Sequence, residues 1–264
     1  MTPDLDFALS LADRADELTM SRFGSLDLQV DTKPDLTPVS DADRASEQLL
    51  RSELEKQRPG DLVVGEEFGE QSGSARCWVL DPIDGTKNYI RGVPVWSTLI
   101  ALADRSPVTD TSEVLLGVVS APALGRRWWA ARGEGAWRSV FGHVDRINVS
   151  AVTSLADASI SFSEWNDPAW EVGTRRAAFE TMLRDCWRSR AYGDFWSHVM
   201  VAEGAVEAAI EPELFPWDMA ALIPIVEEAG GTITALDGSS PMVGGNAVSS
   251  NGLVHRDLLD RFQA

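Results

Sequence analysis

The chain has 264 residues, which is enough for one large domain or two modest ones with a sizeable core. Its formal net charge of −18 argues against nucleic acid or an anionic membrane as a partner, because both require basic patches. We expect a cytoplasmic protein, since the N-terminus lacks a signal-peptide pattern, no apolar run is long enough to cross a bilayer, and Cys77 and Cys186 form no metal or redox motif.

The first part of the chain reads as two helices separated by a strand and a proline-broken loop. Periodic apolar residues and acidic caps predict the helices, and alternation predicts the strand. In chain order we expect a helix from Asp4 or Asp6 to near Gly24, a strand at Leu26–Val30, a loop at Asp31–Pro38, a helix from Ser40 to about Gln57 and a buried strand at Leu62–Gly65 that runs into Glu66.

Beyond Asp81 the sequence first predicts a run of strands and then, after residue 150, an alternation of helices and strands. Strands near 97–103, 113–120 and 127–132, with a hairpin turn at Gly133-Glu134-Gly135 and a return strand at 136–138, make residues 1–150 an α+β half with a mostly antiparallel sheet. Residues 151–264 alternate helix and strand, which is typical of an α/β unit. There we expect strands at 159–163, 205–210 and 232–235, and helices at 174–186, 195–203 and 218–229. Pro224 cannot donate to the Ala220 carbonyl and should kink the last of these helices.

The turn Asp81-Pro82-Ile83-Asp84-Gly85-Thr86 is the most informative segment. It ends a short apolar run with two carboxylates, which suit hard cations, and the glycine opens a helix whose free N–H groups suit a phosphate. Taken alone, the two acids are equally compatible with a simple helix cap. Glu66 and Asp218 also follow apolar strands or begin helices, so four carboxylates could share two cations, with Asp81 as the bridge and the Ile83 carbonyl as a further ligand.

Together with Gly65-Glu66-Glu67, Trp217-Asp218-Met219-Ala220-Ala221 and Glu228-Ala229-Gly230-Gly231, this hexapeptide resembles the inositol monophosphatase family of Mg²⁺-dependent phosphatases. The ordered match spans nearly the whole chain. The segments 31–43 and 190–194 most resemble the actinobacterial histidinol-phosphate phosphatases of that family.

The resemblance implies a layered αβαβα sandwich, a homodimer, and two or three Mg²⁺ ions, with Mn²⁺ as an alternative. It implies that Glu66, Asp81, Asp84, Asp218 and the Ile83 carbonyl are the metal ligands. Gly85 and Thr86 would hold the phosphate. Asp41 would polarise Thr86, which with Glu66 would activate the attacking water. Lys33 would lie near the phosphate.

For the leaving group, the same resemblance points to Arg190, Asp194, Glu211 and Asp218. Acids placed there would bind the amino and imidazole groups of L-histidinol phosphate, and hydrolysis of that ester is the expected reaction, in histidine biosynthesis. Each of these residues is equally compatible with a surface or interface salt bridge.

The alternatives are other classes of phosphatase, other substrates within the family and a protein without catalytic activity. The spacing of the aspartates and the surroundings of the cysteines do not fit haloacid-dehalogenase or cysteine phosphatases, and no Walker loop is present. Within the family, inositol 1-phosphate and other sugar or nucleotide monophosphates are the alternative substrates. A non-catalytic cation-binding protein is a more distant alternative.

Overall fold

The computed structural model describes residues 2–34, 36–71, 76–106 and 112–263. Within them lie fifteen strands and nine α-helices, numbered here in chain order. The strands are β1 (Val30–Thr32), β2 (Pro38–Ser40), β3 (Leu62–Gly65), β4 (Gly69–Gln71), β5 (Cys77–Asp84), β6 (Ser97–Ala103), β7 (Val114–Ala121), β8 (Arg126–Ala131), β9 (Ala136–Val140), β10 (His143–Arg146), β11 (Ser159–Ser161), β12 (Arg188–Arg190), β13 (Ala208–Glu211), β14 (Thr232–Thr234) and β15 (Ala247–Ser250). The helices are α1 (Pro3–Arg22), α2 (Asp41–Gln57), α3 (Thr86–Tyr89), α4 (Arg175–Asp185), α5 (Asp194–Ala202), α6 (Pro216–Met219), α7 (Leu222–Glu228), α8 (Pro241–Gly244) and α9 (His255–Gln263).

Two sheets organise the molecule. The larger has the strand order β10-β9-β8-β7-β6-β5-β3-β4 and is antiparallel except for the β3–β5 pair. The smaller has the order β12-β11-β13-β15-β14, with β11 parallel to both of its neighbours. The larger sheet uses only residues before 147 and the smaller only residues after 158. The division into halves near residue 150 stays a prediction.

The layers follow from which faces are apolar. Helices α1 and α2 cover one face of the large sheet and α5, α6 and α7 the other, which is why every residue of β6 is buried. The small sheet packs on the far side of α5 and α7, and α4 and α9 close its outer face. The resulting order is αβαβα, which confirms the predicted layered sandwich. No helix in the described ranges is both long and apolar enough to cross a membrane.

Four local predictions differ from the structure. The cap of α1 is Thr2, whose hydroxyl accepts from the Leu5 amide at 3.3 Å. The strand expected at Leu26–Val30 begins only at Val30, since Leu26 is fully exposed and packs on nothing. It pairs with Pro38–Ser40, so both ends of the loop expected at Asp31–Pro38 are strand, because a proline is tolerated in a two-stranded edge pair.

The fourth difference concerns the helix expected at 218–229. It is split into α6 and α7, with the break at Ala220–Ala221. This is where Pro224 leaves the Ala220 carbonyl without its helical donor, so the predicted kink is an interruption. Asp218 lies in the turn before it, and the break therefore does not disturb its position.

Candidate active and metal site

Asp81 and Asp84 lie at the end of β5, where the strand leaves regular pairing. The register with β6 shifts between these two residues, and Thr98 of β6 donates to the Pro82 carbonyl at 2.8 Å. The bulge turns the chain so that Oδ1 of Asp81 accepts the Ile83 amide at 3.0 Å. Both carboxylates therefore face the same end of the strand.

Asp218 completes a cluster of three aspartates. One carboxylate oxygen each from Asp81, Asp84 and Asp218 lies within 4.8 Å of the others. Asp218 is held in place because its Oδ2 accepts the Phe215 amide at 2.7 Å. Close-packed oxygen ligands of this kind fit a hard divalent cation.

The electrostatics of the cluster favour a bound cation. Burial raises the pKa of Asp81 well above its usual value, and the charges of Glu66, Asp84 and Asp218 raise it further. Burial and the charges of Asp194 and Asp218 do the same for the pKa of Asp84. The pKa of Asp218 is raised to about 7, chiefly by burial. A bound cation would relieve this repulsion.

Glu66 follows β3 and reaches the cluster from the side. Its amide donates to the Leu80 carbonyl at 3.2 Å, which places it beside Asp81. The ammonium of Lys33 lies 2.7 Å from carboxylate oxygens of both Glu66 and Glu67. Burial alone lowers the pKa of Lys33, but these two hydrogen bonds raise it above its usual value. Lys33 thus contacts two acids at this edge of the site.

The predicted phosphate-binding turn has the geometry that close approach requires. Gly85 is left-handed at φ 84°, caps α3, and with Thr86 lines the cavity. A Cβ at Gly85 would lie 3.1 Å from the Val95 carbonyl, so only glycine fits without strain. The Thr86 hydroxyl lies 3.0 Å from the Ile83 carbonyl oxygen, the atom predicted as a metal ligand.

The prediction that Asp41 polarises Thr86 is wrong. Oδ2 of Asp41 pairs with Arg22 at 2.8 Å and its side chain is 40% exposed. Instead, Oδ1 of Asp43 lies 3.2 Å from the Thr86 hydroxyl. Asp43 is fully buried, and burial raises its pKa to about 6. Ser40 begins a capping box with Asp43, and this turns Asp43 inward and Asp41 outward.

A cavity of about 460 Å³ extends from the cluster into the second half of the chain. Besides Glu66, Asp84 and Asp218, five further carboxylates line it: Glu164, Asp167, Asp194, Glu211 and Glu213. Lys87 is the single cationic side chain among the described lining residues, and it pairs with Glu164 at 2.7 Å. Phe215 and Trp217 are stacked with ring centroids 5.1 Å apart and form an apolar part of the wall.

Asp194 and Glu211 are brought together as leaving-group residues. Ser163 joins them, because its hydroxyl donates to Glu211 at 2.6 Å and accepts the Asp194 amide at 2.8 Å. Burial raises the pKa of Asp194 to about 6 and that of Glu211 well above its usual value. Asp194 also adopts a left-handed φ of 50°, which only a few residue types tolerate.

Arg190 does not join them. Its side chain is exposed, donates to the Ser189 carbonyl at 2.7 Å and lies outside the cavity lining. It lies in β12, at the edge of the small sheet. The prediction that it binds substrate is therefore not supported within one chain.

Sequence reasoning also missed residues that the fold brings to the site. These are Asp43, Ser163, Phe215 and the aromatic face of Trp217. The spacing Ser40-x-x-Asp43 is a capping-box signal that identifies the inward-facing acid. Ser163 and Phe215 lie in loops, where no periodicity marks them.

Known proteins resemble this chain over nearly its whole length. The model of the inositol monophosphatase family matches residues 1–263. A histidinol-phosphatase of Mycobacterium tuberculosis is 54% identical over 263 residues, covering 99% of this chain and 98% of the relative. A histidinol-phosphatase of Streptomyces coelicolor is 54% identical over 258 residues, covering 97% and 95%. The crystal structure of the extragenic suppressor protein suhB of Bartonella henselae superposes with a TM-score of 0.89 at 28% identity, covering 99% of both chains.

Proposed function

Because the chain belongs to the inositol monophosphatase family and is a phosphoric monoester hydrolase, we propose that it hydrolyses L-histidinol phosphate to L-histidinol and phosphate with Mg²⁺ as the cofactor. The observation that carries the choice of substrate is the acidic wall of the cavity. A neutral polyol offers hydroxyl donors to the buried carboxylates but no positive charge, whereas a leaving group with an ammonium and an imidazole also compensates their charge.

One end of the cavity would bind the cation and the phosphate, and the other end would bind the leaving group. The aspartate cluster, Glu66 and the Ile83 carbonyl would hold the cation, and the Gly85-Thr86 turn would hold the phosphate. Asp194 and Glu211 would bind the ammonium and imidazole nitrogens, while the stacked Phe215–Trp217 pair offers a flat surface for the imidazole. Ser163 would fix the two acids relative to each other.

Divalent cations supply two things when bound there, namely an acidified water and a counter-charge for the phosphate. The chain's own contribution is the orientation of that water. The Thr86 hydroxyl has one hydrogen and two acceptors in reach, Asp43 and the Ile83 carbonyl. When it donates to Asp43, its lone pairs point away and can accept a hydrogen bond from the attacking water, and a proton taken from that water would be matched by the hydroxyl proton passed on to Asp43.

The assembly and location of the protein are also proposals. We expect a homodimer, as the family resemblance implies. Cys77 and Cys186 are both free thiols, which supports a reducing, cytoplasmic environment.

A phosphate-release assay tests the proposal. Purified protein with L-histidinol phosphate should release phosphate in the presence of Mg²⁺ and none after treatment with EDTA, with recovery when Mg²⁺ is restored. Mn²⁺ should also restore activity. Release that is unaffected by EDTA would contradict the metal-dependent reaction, and no release under any condition would contradict the substrate.

A further inference from the structure

Glu47 is a buried carboxylate that lies outside the predicted metal and substrate sites. It belongs to α2 and is completely inaccessible to solvent. Burying a carboxylate is unfavourable unless hydrogen bonds and an opposite charge compensate it, so its partners indicate what it is for.

Those partners belong to the turn that carries Glu66. Oε2 of Glu47 accepts the Glu67 amide at 2.7 Å, and Oε1 accepts the Phe68 amide at 3.3 Å. The turn connects β3 to β4, and the residue before Glu67 is the predicted metal ligand. One side chain therefore holds the two amides directly after Glu66.

Gly65, the residue before Glu66, lies against the same carboxylate. A Cβ on Gly65 would lie 2.1 Å from Oε1 of Glu47, so a side chain there would displace the carboxylate. The carboxylate thus lies directly against the Gly65 backbone. Contact on both sides of Glu66 leaves its backbone little freedom.

Arg51 extends this clamp to the far end of the turn. Its Nε lies 2.7 Å from Oε1 of Glu47, one helical turn away, and its guanidinium also donates to the Gly69 carbonyl. The ion pair therefore spans the turn from Gly65 to Gly69. The Glu66 amide is held from another direction by the Leu80 carbonyl, next to Asp81.

We propose that Glu47 is a positioning residue for metal binding, which, with Arg51, preforms the Glu66 turn so that its carboxylate meets the aspartate cluster. This rests on the proposed metal site. Buried ion pairs contribute little net stability relative to well-packed apolar groups, so a role in geometry accounts for this pair better than a role in stability alone. Groups that orient ligands typically change metal affinity by about 10- to 100-fold when they are lost.

The test is Mn²⁺ binding to the substrate-free protein, followed by electron paramagnetic resonance. Glu47→Gln should weaken Mn²⁺ binding by about tenfold or more, because an amide cannot accept from both backbone donors and pair with Arg51. Amide hydrogen exchange at Glu67 and Phe68 should become faster in the same variant.

Glu203→Gln is the matched control. The side chain of Glu203 is only 7% exposed, accepts from the Trp128 indole and pairs with Arg138 at 3.0 Å, far along the chain from the Glu66 turn. The Glu203→Gln variant should have a lower melting temperature but an Mn²⁺ affinity within about twofold of wild type. Equal loss of affinity in both variants would show a general effect of stability and would overturn the proposal.

The double variant Glu47→Gln/Arg51→Gln covers the case in which the single variant folds poorly. It removes both charges and so leaves no unpaired guanidinium in the interior. Weak Mn²⁺ binding in the double variant supports the positioning role, whereas recovery to wild-type affinity overturns it. If wild-type protein itself does not bind Mn²⁺, the proposed metal site fails, which is distinct from wild-type binding that Glu47→Gln leaves unchanged.

Discussion

The hydroxyl of Thr86 lies 3.2 Å from Oδ1 of Asp43, and Oδ2 of the same carboxylate accepts from the Ser40 amide at 2.8 Å. Helix α2 and the turn after β5 are thereby joined through a buried acid. This contact supports Asp43, and not Asp41, as the carboxylate that would polarise Thr86.

Asp43→Asn and Asp41→Asn form a matched pair of variants two residues apart. Asp43→Asn should lower kcat by at least about 100-fold, because an amide is a weaker acceptor for the Thr86 hydroxyl. Asp41→Asn loses only a partly exposed pair with Arg22 and should change kcat by less than about threefold. Steady-state kinetics at saturating Mg²⁺ measure both, and the opposite ranking would contradict the assignment.

Asp81→Asn should have opposite effects on stability and on activity. The variant removes one charge from the mutually repelling cluster while its amide oxygen can still accept from Ile83. In the metal-free protein we expect a rise of about 1 kcal/mol in the free energy of unfolding, or about 2–4 °C in melting temperature. Phosphatase activity should fall by orders of magnitude and the stabilisation by Mg²⁺ should disappear. Thermal unfolding with and without Mg²⁺ checks this, and near-normal turnover would show that Asp81 is not a ligand.

Asp194→Asn tests the leaving-group wall without disturbing its backbone. Asparagine tolerates the left-handed conformation that Asp194 adopts, so the variant isolates the charge. The KM for L-histidinol phosphate should rise by on the order of tenfold, while inositol 1-phosphate hydrolysis changes by less than about threefold. Equal losses on both substrates would make Asp194 a structural residue.

Arg190→Ala should leave kcat/KM within about twofold of wild type, because the side chain is exposed, donates to the Ser189 carbonyl and lies outside the lining of its own cavity. The same kinetic assay measures it. A loss of tenfold or more would show that Arg190 reaches the cavity of a second copy of the chain, and would bring the assembly into the mechanism.

His198 predicts a pH dependence of stability. It is buried, with Nδ1 2.7 Å from the Ser249 hydroxyl, and burial lowers its pKa from 6.5 to about 4. Between these two pH values the imidazole stays neutral in the folded protein but is protonated in the unfolded chain. The contribution of His198 to the free energy of unfolding is therefore fully present above pH 6.5 and is lost as the pH falls towards 4. Compared with His198→Gln, wild type should lose about 3 kcal/mol over this interval. Urea unfolding at several pH values measures the difference, and parallel curves for the two proteins would contradict it.

Much of the fold was predictable because burial leaves strong patterns. The strand Ser97–Ala103 was placed to the residue, since a strand covered on both faces reads as a continuous apolar run. The short charged strand Arg188–Arg190 and the last strand Ala247–Ser250 carry no such pattern and were missed. Their pairing is set by contacts with distant strands.

The metal cluster was predictable in composition, because carboxylates at a strand end and a helix start were identifiable from the sequence. The prediction took Asp41 instead of Asp43, because both acids lie in the first turn of α2. They differ only in the direction that the rotation of the helix gives their side chains. Arg190 was predicted from the family resemblance alone. The side of the sheet edge on which it emerges depends on the tertiary structure.

We propose above that the acidic cavity selects L-histidinol phosphate. The most direct measurement compares kcat/KM for L-histidinol phosphate, inositol 1-phosphate and fructose 1,6-bisphosphate under one Mg²⁺ concentration. The buried carboxylates Asp194 and Glu211 predict a preference for L-histidinol phosphate on the order of 100-fold or more, because neutral polyols bring no positive charge to compensate them. Equal or greater kcat/KM for inositol 1-phosphate or fructose 1,6-bisphosphate would contradict the account.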